Sequence, residues 1–371
     1  MIIIRRAGAA LLFSAVVLIS LSCRSARPGP AAATHCDNEG LTAYPALLVL
    51  APHPDDETLG FAGLIDAYHR AGKPVSVVVV TDGDAYCEAC RFWKNSRVAG
   101  SMCTSEELAE FAEIRHHESA AAAAILGVSP PRFLGYPDTG LDAAWRNLDQ
   151  GKTAEPLRRS DFSGCTSCAA CGYGEGSRTT LDADTLSASL RELIAGAPDG
   201  ALVATTHPLD GHPDHAALGE FVRRLNGEQA RSHPIAYAVI HAHTKNTANA
   251  DCWYPAPAAP VCPCMDDQAT ALADPGWIAR SAGSRFRPSS PAALPNDADY
   301  GEEKQFCLPE RLYAGNDALK LRAIRAYASQ LGSLARKGSH PAALNGIIDC
   351  SGYLTSFVRR TEVFVLVEPA R

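Results

Sequence analysis

The chain has 371 residues, of which 46% are hydrophobic and 20% are charged, and its formal net charge is −7. This composition is typical of a globular protein with a sizeable core. The acidic balance, without a basic stripe, argues against a nucleic-acid-binding protein. The 13 cysteines indicate metal or redox chemistry in a cytosolic protein, and disulfides in an exported one.

The first 22 residues have the pattern of a signal peptide. Two arginines precede an almost wholly apolar run at 7–21, and a small residue comes directly before Cys23. The run is shorter than the about 20 apolar residues that a membrane span needs. Lipoprotein signals also end in a small residue followed by Cys, but Ser20 stands where they carry a branched apolar residue. We expect an exported chain, periplasmic or at the cell surface, either with a lipid anchor at Cys23 or freely secreted.

The folded domain is expected to follow a short tether. Residues 23–44 are rich in Pro and Ala and lack periodicity, so the domain should span 45–371. It begins with a continuous apolar run at 46–51, helical spacing at 58–71 and a β-branched run at 75–81. Strand, helix and strand in this order predict a βαβ unit.

Helices and strands continue to alternate along the chain. Helices are predicted at 106–126, 186–194, 212–225 and 318–334, and strands at 132–135, 201–205, 235–241 and 361–367. The alternation predicts an α/β fold with a mainly parallel sheet. Three Cys- or Pro-rich regions without periodicity are predicted to be loop insertions, at about 84–105, 140–180 and 246–316.

A charged motif, Pro-His-Pro-Asp-Asp-Glu, occupies residues 52–57 directly after the first predicted strand. Ligands of open α/β sheets bind at the carboxyl ends of strands. Ionisable groups so close together are costly to bury there without a counter-charge, which a divalent cation supplies. His53 and Asp56 are spaced so that a tight turn can aim both at one ion, and Asp55 then remains off the metal.

A second motif, His-Pro-Leu-Asp-Gly-His-Pro-Asp-His, occupies residues 207–215, also after an apolar strand and before a helix. His215 is a candidate third ligand, with His207 in reserve. His212, kept charged by Asp214, could donate to an oxyanion. Two histidines and a carboxylate with an open position are typical of catalytic zinc. Helix caps and His-Pro turns are common structural features, but two such motifs at two strand ends favour a metal site.

Five short segments together carry a family resemblance. They are 51–60 (APHPDDETLG), 80–83 (VTDG), 113–118 (EIRHHE), 134–138 (LGYPD) and 211–215 (GHPDH), with weaker echoes at 323–330 and 361–364. On these segments the chain resembles the PIG-L/LmbE family of zinc-dependent N-deacetylases, which act on N-acetylglucosaminyl compounds and related amino sugars. The resemblance implies a Rossmann-like three-layer sandwich and one zinc ion per chain.

The resemblance also implies roles for the residues of the first motif. His53, Asp56 and His215 would bind the zinc ion. Asp55 would be the general base that takes a proton from the attacking water. Independently of the family, this chemistry is coherent, because a zinc site of this kind needs one carboxylate to move the proton.

Further roles follow from the resemblance outside the ligand set. His212, steadied by Asp214, would stabilise the tetrahedral oxyanion. Arg115 and Asp138 are similar to residues that contact the sugar, although a surface ion pair and a turn explain these two residues equally well. Asp210 departs from the family, because some members carry an aromatic residue two positions before the histidine that matches His212.

The expected function is that of an exported, zinc-dependent hydrolase that removes an N-acetyl group from an amino sugar, glycan or glycoconjugate. One alternative is a phosphoesterase-type metal hydrolase, which often uses two metals where this sequence displays one ligand set. The other is a non-catalytic glycan-binding protein on the same fold, which would not need Asp55.

Two smaller sets of residues leave alternatives open. His241 and His243 alternate on a predicted strand and could line the pocket. The spacings Cys87-x-x-Cys90 and 165–171 (C-x-x-C-x-x-C) could form a zinc or iron–sulfur site. In an exported chain disulfides are the expected outcome for these cysteines.

Overall fold

The computed structural model describes residues 36–85, 90, 103–152, 157, 181–210, 212–241, 301–315, 317–330, 354, 357–358 and 361–369. The expected signal peptide, the candidate lipid anchor at Cys23 and most of the three predicted insertions lie outside these residues. Within the described ranges, no helix combines the length and apolar character required to cross a bilayer.

In the described part of the chain, one sheet contains seven strands. These are β1 Leu47–Ala51, β2 Val75–Thr81, β3 Arg132–Tyr136, β4 Leu202–Thr206, β5 Ile235–Ala238, β6 Glu302–Cys307 and β7 Thr361–Val367. The helices are α1 Asn38–Leu41, α2 Asp56–Arg70, α3 Ser105–Leu126, α4 Leu141–Asp149, α5 Ala183–Ala195, α6 Pro213–Gly227, α7 Glu310–Tyr313 and α8 Leu319–Arg325.

The sheet has the order β3-β2-β1-β4-β5-β7-β6. Strands β1 to β5 pair in parallel, whereas β7 runs antiparallel to both β5 and β6. The predicted α/β fold with a mainly parallel sheet is therefore confirmed.

Helices cover both faces of the sheet. Every residue of β1 is buried, and its side chains alternate between two hydrophobic clusters. Leu47 and Val49 pack with α2 and α8 on one face, and Leu48 and Leu50 pack with α4, α5 and α6 on the other. Because both faces of β1 are buried, its sequence is a continuous apolar run. The helices on the two faces of the sheet form the expected three-layer sandwich.

Strands β1 and β4 lie side by side at the centre of the parallel part. Leu47 pairs with Leu202 and Leu50 with Thr205, so the carboxyl ends of the two strands meet at one edge. The chain continues from β1 to β2 on one side and enters β4 on the other. This reversal of strand order creates the crevice in which open α/β sheets bind ligands.

A glycine allows α6 to pack closely on the end of β4. A Cβ atom on Gly219 would lie 2.6 Å from the carbonyl oxygen of Thr206 and 2.7 Å from the backbone nitrogen of Pro208. Thr206 also donates its hydroxyl to the carbonyl oxygen of His215, at 2.9 Å. The close approach places the first turn of α6 directly over the strand end.

The last part of the predicted tether, from Cys36 onward, contains regular structure and packs on the domain. Cys36 forms a disulfide with Cys307, with a Cα–Cα distance of 5.5 Å. The Asn38 side chain exchanges two 2.8 Å hydrogen bonds with the backbone of Cys307, and Leu41 is fully buried. These partners lie far away in the sequence, so no local pattern could indicate them.

Two of the predicted insertions contain regular structure. Helix α4 lies within 140–180, where Leu141, Ala144 and Trp145 are buried at helical spacing in too short a run for the pattern to stand out. Strand β6 and helix α7 lie within 246–316. The sequence of β6, Glu-Glu-Lys-Gln-Phe-Cys, lacks apolar alternation, and its pairing with β7 makes it an edge strand.

Two disulfides are present in the described part, and both agree with the expectation for an exported chain. Besides Cys36–Cys307, Cys90 pairs with Cys103 at a Cα–Cα distance of 6.5 Å. Cys90 is thus bonded to Cys103 and does not form a metal site with Cys87. The cysteines at 165–171 lie outside the described residues.

Candidate metal centre

Three buried ligand atoms meet where β1 and β4 end. Nδ1 of His53 lies 3.1 Å from Oδ2 of Asp56 and 3.2 Å from Nε2 of His215. Nε2 of His215 lies 3.1 Å from the same Asp56 oxygen. Ligands of a tetrahedral zinc ion, with bonds of about 2.0–2.1 Å, are separated by about 3.3 Å. The triangle of these atoms, here called the triad, therefore fits one such ion.

Local backbone geometry brings together two of the three triad residues. His53 lies in the turn between β1 and α2, and Asp56 is the first residue of α2. The backbone N–H of His53 donates to Oδ2 of Asp56 at 3.0 Å, which holds the carboxylate against the imidazole. A carboxylate is also favourable at a helix N-terminus. His215 arrives from the first turn of α6, so only the tertiary fold completes the set.

Each histidine of the triad has a carboxylate behind its other ring nitrogen. Oδ1 of Asp138 lies 3.0 Å from Nε2 of His53, and Oδ2 of Asp214 lies 3.4 Å from the same nitrogen. Oδ2 of Asp210 lies 3.5 Å from Nδ1 of His215. Metal-binding histidines usually direct their second ring N–H at such an acceptor, which fixes the tautomer and the ring orientation.

The pKa shifts of the triad residues show that their surroundings favour a positive charge between them. Burial lowers the pKa of His53, but the carboxylates of Asp138, Asp214 and Asp56 together hold that pKa well above the ordinary value. Burial also lowers the pKa of His215, which Asp56 and Asp210 nevertheless raise to about 9. Burial raises the pKa of Asp56, yet the facing histidines hold it well below its usual range. A bound cation would take the place of these protons.

Asp55 lies beside the triad without belonging to it. It precedes α2 with φ 129° and ψ −30°, a strained conformation for a non-glycine residue. Its backbone N–H donates to Oε2 of Glu57 at 2.9 Å, and Nη2 of Arg115 donates to its Oδ2 at 3.2 Å. Burial raises the pKa of Asp55 to about 8 against the opposing charge of Arg115. A carboxylate in this state suits general-base chemistry near neutral pH.

Arg115, which the resemblance predicts to contact the sugar, is bound here by groups of the protein. Only 4% of the residue is exposed, and its guanidinium donates to the carbonyl oxygens of Pro54 and Gly83 as well as to Asp55. Gly83, at φ 62°, leaves no room for a Cβ atom against the guanidinium. The contacts of Arg115 therefore position Asp55 and the turns around it.

Asp138, the other residue that the resemblance predicts to contact the sugar, lies beside His53. It is buried, with Oδ1 beside His53 and Oδ2 accepting the backbone N–H of Ala85 at 3.3 Å. Its own N–H donates to Oδ1 of Asp84 at 3.1 Å. The structure places Asp138 behind a candidate ligand, where it orients the His53 ring.

The relation between His212 and Asp214 is not the one that we expected. Nδ1 of His212 accepts the backbone N–H of Asp214 at 3.2 Å, which is a helix cap for α6. The Asp214 carboxylate instead accepts the N–H groups of Thr139 and Leu141, at 2.7 and 3.1 Å. Burial and the neighbouring histidines lower the pKa of His212 to about 3. The neutral imidazole thus presents Nε2–H as its donor, in place of the expected charged ring.

Three further residues at the site were given no role from the sequence. Glu57, inside the first motif, accepts from Ser119 and Tyr327 in addition to Asp55. Asp210, inside the second, is buried among the histidines. Tyr327 belongs to the weak echo at 323–330. The two carboxylates were visible as motif members, but only the structure assigns their partners.

His241 lines the site, as one alternative from the sequence suggested, whereas His243 lies outside the described residues. Its ring centroid is 4.6 Å from that of His215 and 5.3 Å from that of His212. Ligand atoms of Asp56, His215 and His241 all lie within 4.8 Å of one another. Four imidazoles, those of His53, His212, His215 and His241, therefore lie together at the site.

The fold and the site define an α/β protein with a candidate His-Asp-His metal centre at the reversal of strand order. Residues 48–226 match the family described as PIG-L, GlcNAc-PI de-N-acetylase. The match agrees with the resemblance inferred from the sequence motifs, which is therefore confirmed over this part of the chain.

The curated relatives are named as sugar deacetylases. A 1D-myo-inositol 2-acetamido-2-deoxy-alpha-D-glucopyranoside deacetylase from Corynebacterium urealyticum is 30% identical over 53% of this chain and 53% of its own length. A probable N-acetyl-alpha-D-glucosaminyl L-malate deacetylase from Bacillus anthracis is 34% identical over 26% of this chain and 38% of its own. The chain thus spans between about a third and about half of these relatives.

Two solved structures show lower similarity. N,N'-diacetylchitobiose deacetylase from Pyrococcus horikoshii has a TM-score of 0.39 and 18% identity, and covers 89% of this chain and 86% of its own. A zinc-inhibited form of teicoplanin deacetylase has a TM-score of 0.45 and 16% identity, and covers 86% and 97%. Similarity at this level supports no conclusion about function.

Proposed function

We propose that the chain is an exported, zinc-dependent deacetylase that removes an N-acetyl group from an amino sugar, glycan or glycoconjugate. The observation that carries the proposal is the triad, whose three ligand atoms are 3.1 to 3.2 Å apart, beside a separate buried carboxylate, Asp55. A binding protein would need no such base, and the charge around the triad suits a single cation.

Each protein group then has a distinct task. A zinc ion held by His53, Asp56 and His215 would supply Lewis acidity and lower the pKa of water towards about 7. Asp55 takes the proton from the attacking water and passes it to the amide nitrogen, since Arg115 binds its Oδ2 and leaves Oδ1 to accept the proton. Nε2–H of His212 donates to the developing oxyanion, for which a fixed donor is most effective.

Two observations support the substrate class and the compartment. The curated relatives are named for substrates in which the acetyl group is attached to an amino sugar, which favours the same linkage here. The described disulfides, Cys36–Cys307 and Cys90–Cys103, suit an oxidising compartment such as the periplasm or the cell surface.

The test measures acetate release from N-acetylated sugars, chitooligosaccharides and glycolipids by the purified full chain. We expect about one zinc per chain, acetate release that a chelator abolishes, and recovery when zinc is restored. Zinc-loaded protein that releases no acetate but binds these glycans would favour the glycan-binding alternative. Release of phosphate from phosphoesters would instead identify a phosphoesterase.

A further inference from the structure

One buried carboxylate contacts several parts of the metal centre. Asp210 is 1% exposed and lies in the loop between β4 and α6. Its Oδ1 accepts the backbone N–H of His212 at 2.9 Å. Its Oδ2 accepts the backbone N–H groups of Ile240 and His241, at 2.7 and 3.1 Å, and lies 3.5 Å from Nδ1 of His215.

These contacts connect two strand ends. Ile240 and His241 follow β5, whereas His212 and His215 belong to the segment that follows β4. A buried carboxylate is costly unless donors surround it, and three backbone N–H groups from two segments supply them here. Without this carboxylate, the two backbone donors beyond β5 would lose the acceptor that connects them to the segment after β4.

The position of Asp210 also suits the orientation of His215. Nε2 of His215 belongs to the triad, so its Nδ1 must carry the proton when a metal is bound. Nδ1 makes no hydrogen bond of normal geometry among the described residues, and Oδ2 of Asp210 at 3.5 Å is the carboxylate that it faces. Hydrogen bonds of this kind are often long in unliganded sites and shorten on binding.

His241 reaches the site from the carboxyl end of β5, the strand next to β4. Its ring nitrogen and the ligand atoms of Asp56 and His215 all lie within 4.8 Å of one another. The triad is already a set of three ligand atoms 3.1 to 3.2 Å apart, and a catalytic zinc ion takes three protein ligands and keeps an open position. The His241 imidazole is therefore placed to contact what binds beside the triad.

We propose that Asp210 is the positioning residue of this metal centre, which orients His215 and holds His241 against the reacting acetyl group of the substrate. This role rests on the proposed deacetylase function. Here the carboxylate provides, through His241, a second imidazole beside His212.

The first experiment replaces Asp210 by Asn, which keeps the size and removes the charge and half of the acceptor capacity. The matched control is Asp199→Asn, because Asp199 is an exposed carboxylate with an 80% exposed side chain. Zinc affinity is measured by competition with a chromophoric chelator, without substrate. We expect D210N to bind zinc about 10-fold to 100-fold more weakly and, at saturating zinc, to lose kcat with little change in KM. A folded D210N variant with normal zinc affinity and normal kcat overturns the proposal.

The second experiment replaces His241 by Ala, with the exposed His117→Ala as its control. H241A keeps the backbone N–H that Asp210 binds, so it tests the proposal even if D210N does not fold. We expect unchanged zinc affinity and a kcat at least about 10-fold lower, as for the loss of one oriented donor. If H241A weakens zinc binding as strongly as His215→Ala, His241 is a ligand and its proposed role is wrong. Unchanged kcat would overturn that role as well.

The zinc measurements need no turnover, so they separate this proposal from the proposed function. If D210N binds zinc more weakly but the unsubstituted protein releases no acetate, the deacetylase function is contradicted. The role of Asp210 in orienting His215 then still stands. If the protein deacetylates and both variants keep normal zinc affinity and normal kcat, only the positioning role is contradicted.

Discussion

At the scale of single residues, strain is concentrated at the metal centre. Asp55, at φ 129°, and Thr139, at φ 68°, are the non-glycine residues with positive φ in the described part. The N–H of Thr139 donates to the Asp214 carboxylate beside His53. Strained conformations persist where several surrounding contacts hold them in place. Glu57 and Arg115 provide such contacts around Asp55.

Asp55→Asn tests the general base. The amide has nearly the same shape but cannot accept the proton, so we expect normal zinc content and a kcat lower by about 100-fold to 10,000-fold. Zinc analysis and steady-state acetate release measure the two effects, with D199N as the control. Full turnover by D55N would show that another group is the base.

Arg115→Lys distinguishes positioning of Asp55 from contact with the sugar. Lysine keeps the charge, but its compact ammonium lacks the planar fork with which the guanidinium donates to Pro54, Gly83 and Asp55. We therefore expect kcat to fall at least about 10-fold while KM changes little, since the loss affects the reacting group and leaves substrate binding intact. A large rise in KM at constant kcat would restore the sugar-contact hypothesis.

At the scale of elements, hydrogen bonds and an ion pair from distant segments connect the helices around the site. The Asp214 carboxylate in α6 accepts N–H groups before and within the first turn of α4. Nζ of Lys320, in α8, donates to the carbonyl oxygen of Leu59 at 2.8 Å and to Oε1 of Glu362, in β7, at 2.6 Å. Glu362 in turn accepts the N–H of Gly63 in α2. The sequence echo at 361–364 thus corresponds to a structural ion pair.

Lys320→Met should destabilise the fold, because Glu362 would remain buried without its cation. Removal of one partner of a buried pair costs about 3–5 kcal/mol. Denaturant unfolding measures the loss, and the double variant Lys320→Met/Glu362→Gln should recover part of it. An unchanged free energy of unfolding in the single variant would contradict this account of the pair.

The same elements show where prediction from sequence succeeds. The buried strands β1, β2 and β7 and the helices α2, α3 and α6 were predicted to within a few residues, because continuous apolar runs and helical spacing are local signals. Helix α4 was missed because it is short. Strand β6 was missed because its partner β7 lies more than 50 residues away and its own side chains lack alternation.

At the scale of the whole molecule, the Cys36–Cys307 disulfide joins the residues before α1 to β6, the last strand in the order of the described sheet. Its sequence separation is 271, against 13 for Cys90–Cys103. In the chain-entropy description, a longer loop gains more stability from closure.

The two disulfides form a matched pair for an experiment. We expect Cys36→Ser/Cys307→Ser to lose about 5–6 kcal/mol of unfolding free energy and Cys90→Ser/Cys103→Ser about 3 kcal/mol or less. Denaturant unfolding under oxidising conditions measures both. Zinc affinity should be unchanged in the first variant, because its bond does not touch the triad. A larger loss from the shorter loop would contradict the entropic explanation.

The sequence by itself indicated the family resemblance, the α/β class and the candidate ligands His53, Asp56 and His215, together with Asp55 as candidate base. These follow from short motifs and local periodicity, which do not depend on long-range contacts. Only the tertiary structure decided which groups surround Arg115, Asp138 and Asp210: the first contacts Asp55, the second contacts His53, and the third binds N–H groups from two segments. The physical reason is that a buried charge is defined by its partners, and here those partners come from different strand ends that only the folded sheet brings together.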